Sequence, residues 1–421
     1  MKKEDNERLV RVGPGTPAGI YFRQYWQPAL LSSELPENDG APLRLRLLCE
    51  DLIAFRDSNG AVGIVDAFCP HRRAPLFFGR NEECGIRCVY HGWKFNRDGD
   101  CVDMPSEPED SPLKARVKLH AYPAIERGGI VWSYMGPKDK MPAPPDYEWL
   151  RAPSTHRHVS KTIEACNYLQ GLEGGLDTAH VGILHRDDRN AVTRLSAKDP
   201  APKIDVEPTD YGYYYVSYRQ LENDRRYIRI YQYFMPAQQV RPNVVDSTGN
   251  KQATPTIDGH IWAPIDDETT NVYNFMYSHD PDIALSESFV RDTEAFFGRG
   301  DEDFVPGTHQ LARNTSNDYL IDRALQKRGN TSGIVGINTQ DYAVQEGMGP
   351  IVDRSTEFLG SSDRPIITLR RMLLGAIEQV QNGLQPPGVL PEDHRGFRAH
   401  DDIVGSDITL EQLLEETKAK W

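Results

Sequence analysis

The sequence predicts an α+β protein in two parts, an all-β domain over residues 1–150 and an α+β domain over residues 151–421. Three observations carry that prediction. Turn-punctuated apolar alternation dominates the first 150 residues, and strand and helix signals mix in the remainder. The 34 glycines and 30 prolines are too many for a helical bundle. A length of 421 residues itself points to two or three domains.

In chain order, residues 43–68 read as a hairpin, with Leu43, Leu45 and Leu47 alternating with other residues. An Asp57-Ser58-Asn59-Gly60 turn then joins the apolar stretches 52–55 and 62–65. A second turn, Arg97-Asp98-Gly99-Asp100, follows Gly92-Trp93-Lys94-Phe95, and residues 130–134 form one more strand. Beyond the prolines at 142–145, residues 213–218 and 227–235 read as strands, and 261–265 with 272–277 as a hairpin. Ile366, Leu369, Leu373, Ile377 and Val380 recur at helical spacing, with Asp363 placed to cap, Pro365 in the first turn and Gly383 past the end.

A net charge of −14 makes nucleic acid and anionic membrane poor partners. The 38% hydrophobic and 26% charged content fits a globular chain rather than a disordered one. No apolar run follows Met1–Arg8 and none reaches membrane-spanning length, so a cytoplasmic protein without a signal peptide is expected. Six cysteines in such a chain argue against a disulfide framework; five lie before residue 102, which makes a local metal site the first candidate. Cys49, Cys84 and Cys101 read as ordinary small hydrophobes.

Cys69-Pro70-His71 and Cys88-Val89-Tyr90-His91 are two hooks, each offering a thiolate and an imidazole. Two chemistries fit, a tetrahedral zinc site or a 2Fe–2S cluster with two histidines on one iron. The second hook continues Gly92-Trp93-Lys94-Phe95, and the zinc-finger spacing of paired cysteines followed by paired histidines is lacking.

Further on, Asp177, His180 and His185 concentrate metal-friendly groups. Asp177 and His180 would share a face if the stretch were helical. His185 lies about 140° round an ideal helix from His180, so both rings reach one metal only if the helix ends or bulges, and Gly182 supplies a weak point. Two histidines plus a distant carboxylate would make a facial triad that leaves open positions on Fe(II).

Together the hooks and the Asp177-x2-His180-x4-His185 pattern strongly resemble the large subunit of the Rieske non-heme iron oxygenases. The late segment from Asn338 to Arg354 looks most like the phthalate 4,5-dioxygenase branch. The resemblance implies an N-terminal Rieske 2Fe–2S domain and a catalytic domain with a large antiparallel sheet flanked by helices. It implies that Cys69 and Cys88 hold one cluster iron and that His71 and His91 hold the other. His180, His185 and Asp341 would hold mononuclear iron, with Asp341 opening a helix; Glu346 and Glu173 are the fallback carboxylates. Asp177 would bridge His180 to a cluster histidine, His91, of a neighbouring subunit, in a homotrimer or stacked hexamer. O2 and an aromatic acid would be the substrates, with electrons from NAD(P)H through a flavin/2Fe–2S reductase, with or without a ferredoxin. Glu173-Gly174-Gly175 departs from the Asn-containing turn of some relatives.

An anionic substrate would need a buried cation. Arg229 alternates onto the face of Tyr227, Tyr231 and Tyr233, and Arg241 is a second candidate, although a solvated edge-strand face explains the same alternation. The resemblance implies hydroxylation, as a dihydroxylation, of an aromatic carboxylic acid of the phthalate type, with O-demethylation of a methoxylated aromatic acid as the alternative. The two share the same metals and differ only in which substrate atom faces the iron. A Rieske electron-transfer protein would leave His180, His185 and Asp341 without a role.

Overall fold

The computed structural model describes residues 1–187 and 195–421. The chain divides into one unit of Val12–Pro142 and a second formed by Met1–Arg11 with Ala143–Trp421.

The first unit is built from three small antiparallel sheets. In one of them, strands Glu50–Arg56 and Val62–Asp66 pair across the expected turn. Asp57 makes that turn: its Oδ1 accepts from the Asn59 and Ala61 N–H groups, both at 2.9 Å, and Gly60 takes a left-handed φ of 83°. Asn96 repeats the device before Gly99, accepting from Asp98 and Asp100 at 3.1 and 2.8 Å. Another sheet, Arg80–Glu82, Gly85–Arg87, Lys94–Phe95 and Cys101–Asp103, carries the second hook between its middle strands. The core beneath gathers Ile53, Phe55, Val65, Leu76, Ile86 and Phe95 around Cys69, Cys88 and Cys101.

The second unit centres on an eight-stranded antiparallel sheet; helix Tyr168–Leu176 packs against its strands Gln238–Val245 and Lys251–Pro264, and helix Arg364–Gln381 against Lys203–Thr209. Strand Arg225–Phe234 pairs along one edge with Gly212–Gln220. Its other edge is shared: residues 225–230 pair with His400–Gly405, and residues 232–234 with Gln238–Val245. The hairpin joins Lys251–Pro264 to Thr270–Ser278. The expected helix spans Arg364–Gln381, buries Ile366, Leu369, Leu373 and Ile377, and stops before Gly383 at φ 79°. Asp363 does not cap it; its carboxylate instead accepts from the Gly360 N–H at 2.6 Å, closing the preceding 3₁₀ turn. Among the described residues no helix is long and apolar enough to cross a membrane.

Residues 1–11, grouped by sequence with the first domain, pack on the second unit. Leu9 and Val10 are fully buried there. Their carbonyls accept from the Tyr168 hydroxyl (3.0 Å) and the Asn167 amide (2.9 Å), and Asn6 donates to the Val352 carbonyl (3.1 Å).

Candidate metal centres

The two hooks fold as tight loops. The Ala74 carbonyl accepts from the Cys69 N–H and the Cys69 carbonyl from the Arg73 N–H, both at 2.9 Å. The Cys88 N–H and carbonyl close on Trp93 and Gly92 at 2.8 and 2.9 Å. Gly92 has φ 77°, and a Cβ there would lie 2.6 Å from Pro105 Cγ, so the turn after His91 requires glycine. The His71 and His91 rings meet edge to face with centroids 4.4 Å apart, and Trp93 lies flat against His71. Cys69 and Cys88 are buried (1% and 2% exposed); burial, then the neighbouring Cys88, pushes the Cys69 thiol up to about 11. His71 Nδ1 is buried with no hydrogen-bond partner. Two buried neighbouring sulfurs, the Cys69 thiol reluctant to ionise, and an orphaned ring nitrogen are what cluster irons would satisfy.

In the second unit, helix Tyr168–Leu176 ends at Asp177, whose backbone is extended (φ −72°, ψ 124°). The shared helix face expected for Asp177 and His180 does not exist. Instead Asp177 Oδ1 accepts from the Ala179 N–H (2.7 Å), and this Asx turn brings Oδ2 to 3.3 Å from His180 Nδ1. The intervening Thr178 is held by Arg219 at its carbonyl (2.7 Å) and by the Tyr231 hydroxyl (2.8 Å). A single 3₁₀ turn, His180–Gly182, then re-aims the chain so that His185 returns towards His180. The centroids of the two rings are 5.1 Å apart.

Asp341 comes from a distant helix, Ile337–Gly347, and sits in its interior rather than at its opening. Gly336, at φ 90°, lets that helix begin a turn earlier and bury Asn338, Thr339 and Gln340. Asp341 Oδ1 lies 3.5 Å from His180 Nε2 and 3.2 Å from His185 Nε2. The ligand atoms of His180, His185 and Asp341 all lie within 4.8 Å of one another, the one such group among the described residues. Burial would lower the pKa of His180, but Asp177 and Asp341 outweigh it and push it up to about 10. Burial likewise opposes ionisation of Asp341, yet His185 and His180 hold its carboxyl below the ordinary carboxylate range. Such a cradle attracts positive charge, and two imidazoles with one carboxylate fit a divalent iron.

The fallback carboxylates point elsewhere. Glu173 pairs with Arg354 (3.0 Å) and Arg370 (2.6 Å), while Glu346 accepts from the Ala165 N–H (2.8 Å) and the Tyr319 hydroxyl.

The triad opens on a cavity of about 180 Å³ walled by Trp262, Val272, Phe297 and Tyr231. Both sequence-nominated arginines line it. Arg229 is on an internal strand, not a solvated edge, and donates to the Pro242 carbonyl (2.6 Å) with Asp401 3.7 Å from its Nε. Arg241 is ion-paired with Asp258, directly opposite on the next strand. Sequence reasoning missed Asp258, His260, Trp262 and Gln340. Gln340 had one signal, its place beside Asp341, and the alternation of 258, 260 and 262 on one strand was the signal for the others.

Two family patterns match the chain, the Rieske [2Fe-2S] domain over residues 25–123 and the LigXa C-terminal domain like family over residues 133–408. The chain is 39% identical over 441 aligned residues to the 3-chlorobenzoate-3,4-dioxygenase oxygenase subunit of Comamonas testosteroni, covering 98% of both. It is 38% identical to the phthalate 4,5-dioxygenase oxygenase subunit of Pseudomonas putida, covering 97% of this chain and 93% of that one. Against the 5,5'-dehydrodivanillate O-demethylase oxygenase subunit of a Sphingobium species the identity is 30%, over 98% and 90% of the two chains. Among solved structures, NdmA of Pseudomonas putida CBB5 with caffeine aligns at TM-score 0.62 and 18% identity, over 92% of this chain and 98% of that one, a likeness of fold alone.

Proposed function

The chain belongs to the Rieske non-heme iron oxygenases and is an oxidoreductase of that class; from that premise we propose that it dihydroxylates an aromatic carboxylic acid of the phthalate or chlorobenzoate kind. The observation that carries this reading is the His180–His185–Asp341 cradle opening on an aromatic-walled cavity that contains two arginines. Cys69, Cys88, His71 and His91 would hold the 2Fe–2S cluster, and the cradle the mononuclear iron. Bound there, those groups supply electrons and open coordination positions for O2 chemistry.

The residues of the chain do the rest. Trp262, Phe297 and Tyr231 exclude water and flank an aromatic ring. Arg229 presents its guanidinium to a substrate carboxylate, held in place by the Pro242 carbonyl and Asp401. Asp177 keeps a proton on His180 Nδ1, so that Nε2 faces the metal. Its carboxylate is 23% exposed, which leaves an edge open to a histidine of a neighbouring subunit, namely His91. The reading carries a cytoplasmic homotrimer, or stacked hexamer, supplied with NAD(P)H electrons by a separate flavin/2Fe–2S reductase; relatives named as oxygenase subunits support a partner of that kind.

The O-demethylating relative keeps a second outcome in view. Purified enzyme with a surrogate reductase, 18O2 and a panel of phthalate, chlorobenzoates and methoxybenzoates separates the two. A cis-dihydrodiol with both atoms labelled is expected. Formaldehyde and a phenol would turn the reading to demethylation. No oxygenated product, with colourless zinc-bearing protein, would sink it.

A further inference from the structure

His180 and His185 aim the same atom, Nε2, at one oxygen of Asp341, yet different chemistry stands behind each ring. Behind His180 is a carboxylate, Asp177. Behind His185 is a neutral amide: Gln340 Oε1 lies 2.8 Å from His185 Nδ1. The orientation of that amide follows from its other end. Gln340 Nε2 is 2.8 Å from the Ile334 carbonyl oxygen, a group that only accepts. The NH2 must therefore face Ile334 and the carbonyl must face His185. An amide oxygen cannot donate, so the proton between them belongs to His185 Nδ1. The lone pair of that ring then falls on Nε2. Gln340 is 4% exposed, so water does not compete for either contact.

We propose that Gln340 is the positioning residue for His185, fixing its tautomer and ring orientation so that Nε2 is the donor presented to the metal. The proposal rests on the iron-site reading of His180, His185 and Asp341. Helix Ile337–Gly347 then serves the site twice over, with Asp341 as one donor and its neighbour Gln340 as the orienter of another. It also makes the two imidazoles unequal. A carboxylate partner raises the basicity of a ring more than an amide does, so His180 is the stronger donor and His185 the weaker.

The test is anaerobic Fe(II) binding, by chelator competition, to whole protein with its cluster loaded. Gln340→Met keeps length and burial but offers no acceptor of comparable strength; the apparent Kd for Fe(II) should rise about 10- to 100-fold. Gln340→Glu keeps an acceptor on His185 while losing the donor to Ile334. It should hold the Kd within about threefold of the parent, inside the 10- to 100-fold cost of losing an orienting partner. The visible bands of its Co(II)-substituted site should shift, because His185 then has a carboxylate partner like that of His180. Equal weakening in both variants would mean that Gln340 acts only by holding the Ile334 loop, which overturns the proposal. Parent-like affinity in Gln340→Met overturns it as well. Should the Met variant fail to fold, unchanged Co(II) bands in Gln340→Glu overturn it alone. A parent protein that binds no Fe(II) overturns the iron-site reading itself, a result distinct from the other three.

Discussion

His180 would contribute one of three donors to the proposed iron cradle, and neither of its partners there, His185 or Asp341, lies in the Val12–Pro142 unit that carries the two Cys/His hooks. His180→Ala should therefore lose the mononuclear iron and oxygenation while the cluster absorption stays at parent intensity. Metal analysis beside a visible spectrum checks this, and loss of the cluster bands would contradict a two-site assignment. Asp177 sits one bond further out. Asp177→Asn keeps shape and the Asx turn but replaces an acceptor-only group with one that also donates. Both metal centres should assemble, and steady-state turnover should fall by orders of magnitude. In a single turnover begun from reduced enzyme, cluster re-oxidation should be slow; re-oxidation at the parent rate would remove Asp177 from the electron route.

At the scale of elements, helix Tyr168–Leu176 explains the Glu173-Gly174-Gly175 stretch that departs from the family turn. Glu173 clamps the helix to Arg354 and Arg370, while the two glycines admit close neighbours. A Cβ at Gly175 would lie 2.3 Å from Trp262 Cη2, and one at Gly174 2.0 Å from Gln345 Nε2. The glutamine end can swing aside; the buried indole cannot. Gly175→Ala should thus cost about 1–3 kcal/mol by overpacking. Because Gly175 and Trp262 both wall the cavity, KM for the aromatic acid should rise as well. A thermal melt and a KM determination test this, with Gly174→Ala as the milder control.

For the catalytic unit as a whole, the C-terminus is tied down by one buried charge pair. Arg398 and Glu148 are each 2% exposed; Arg398 Nε donates to Glu148 Oε2 at 3.0 Å, Tyr277 adds a bond at 2.6 Å, and the Lys420 N–H reaches Oε1 at 2.7 Å. Glu148→Ala would strand a buried guanidinium and should destabilise the protein by about 3–5 kcal/mol. The denaturant midpoint should drop while Fe(II) binding by the folded fraction is unchanged, because neither residue lines the cradle.

What the sequence determined by itself is local or compositional. Asp57 to Gly60 and the 366–377 periodicity carry their structure in their own side chains, so those turns and that helix could be read directly. The hooks were legible because thiolate and imidazole at short spacing have few other uses. Tertiary structure decided whatever depends on elements remote in the chain. Asp341 is one of 62 acidic residues, and only packing of its helix beside the 180–185 turn brings its oxygen to the two imidazoles. The Asx turn at Asp177 replaced a helical pairing because a carboxylate can bond its own backbone two residues on, an option that periodicity does not register. Arg229 proved internal because strand His400–Gly405, from the far end of the chain, covers half of its open edge. Gln340 carried no signal but its place beside Asp341: the role proposed for it arises only where the Ile334 carbonyl and the ring of His185 meet it from opposite sides.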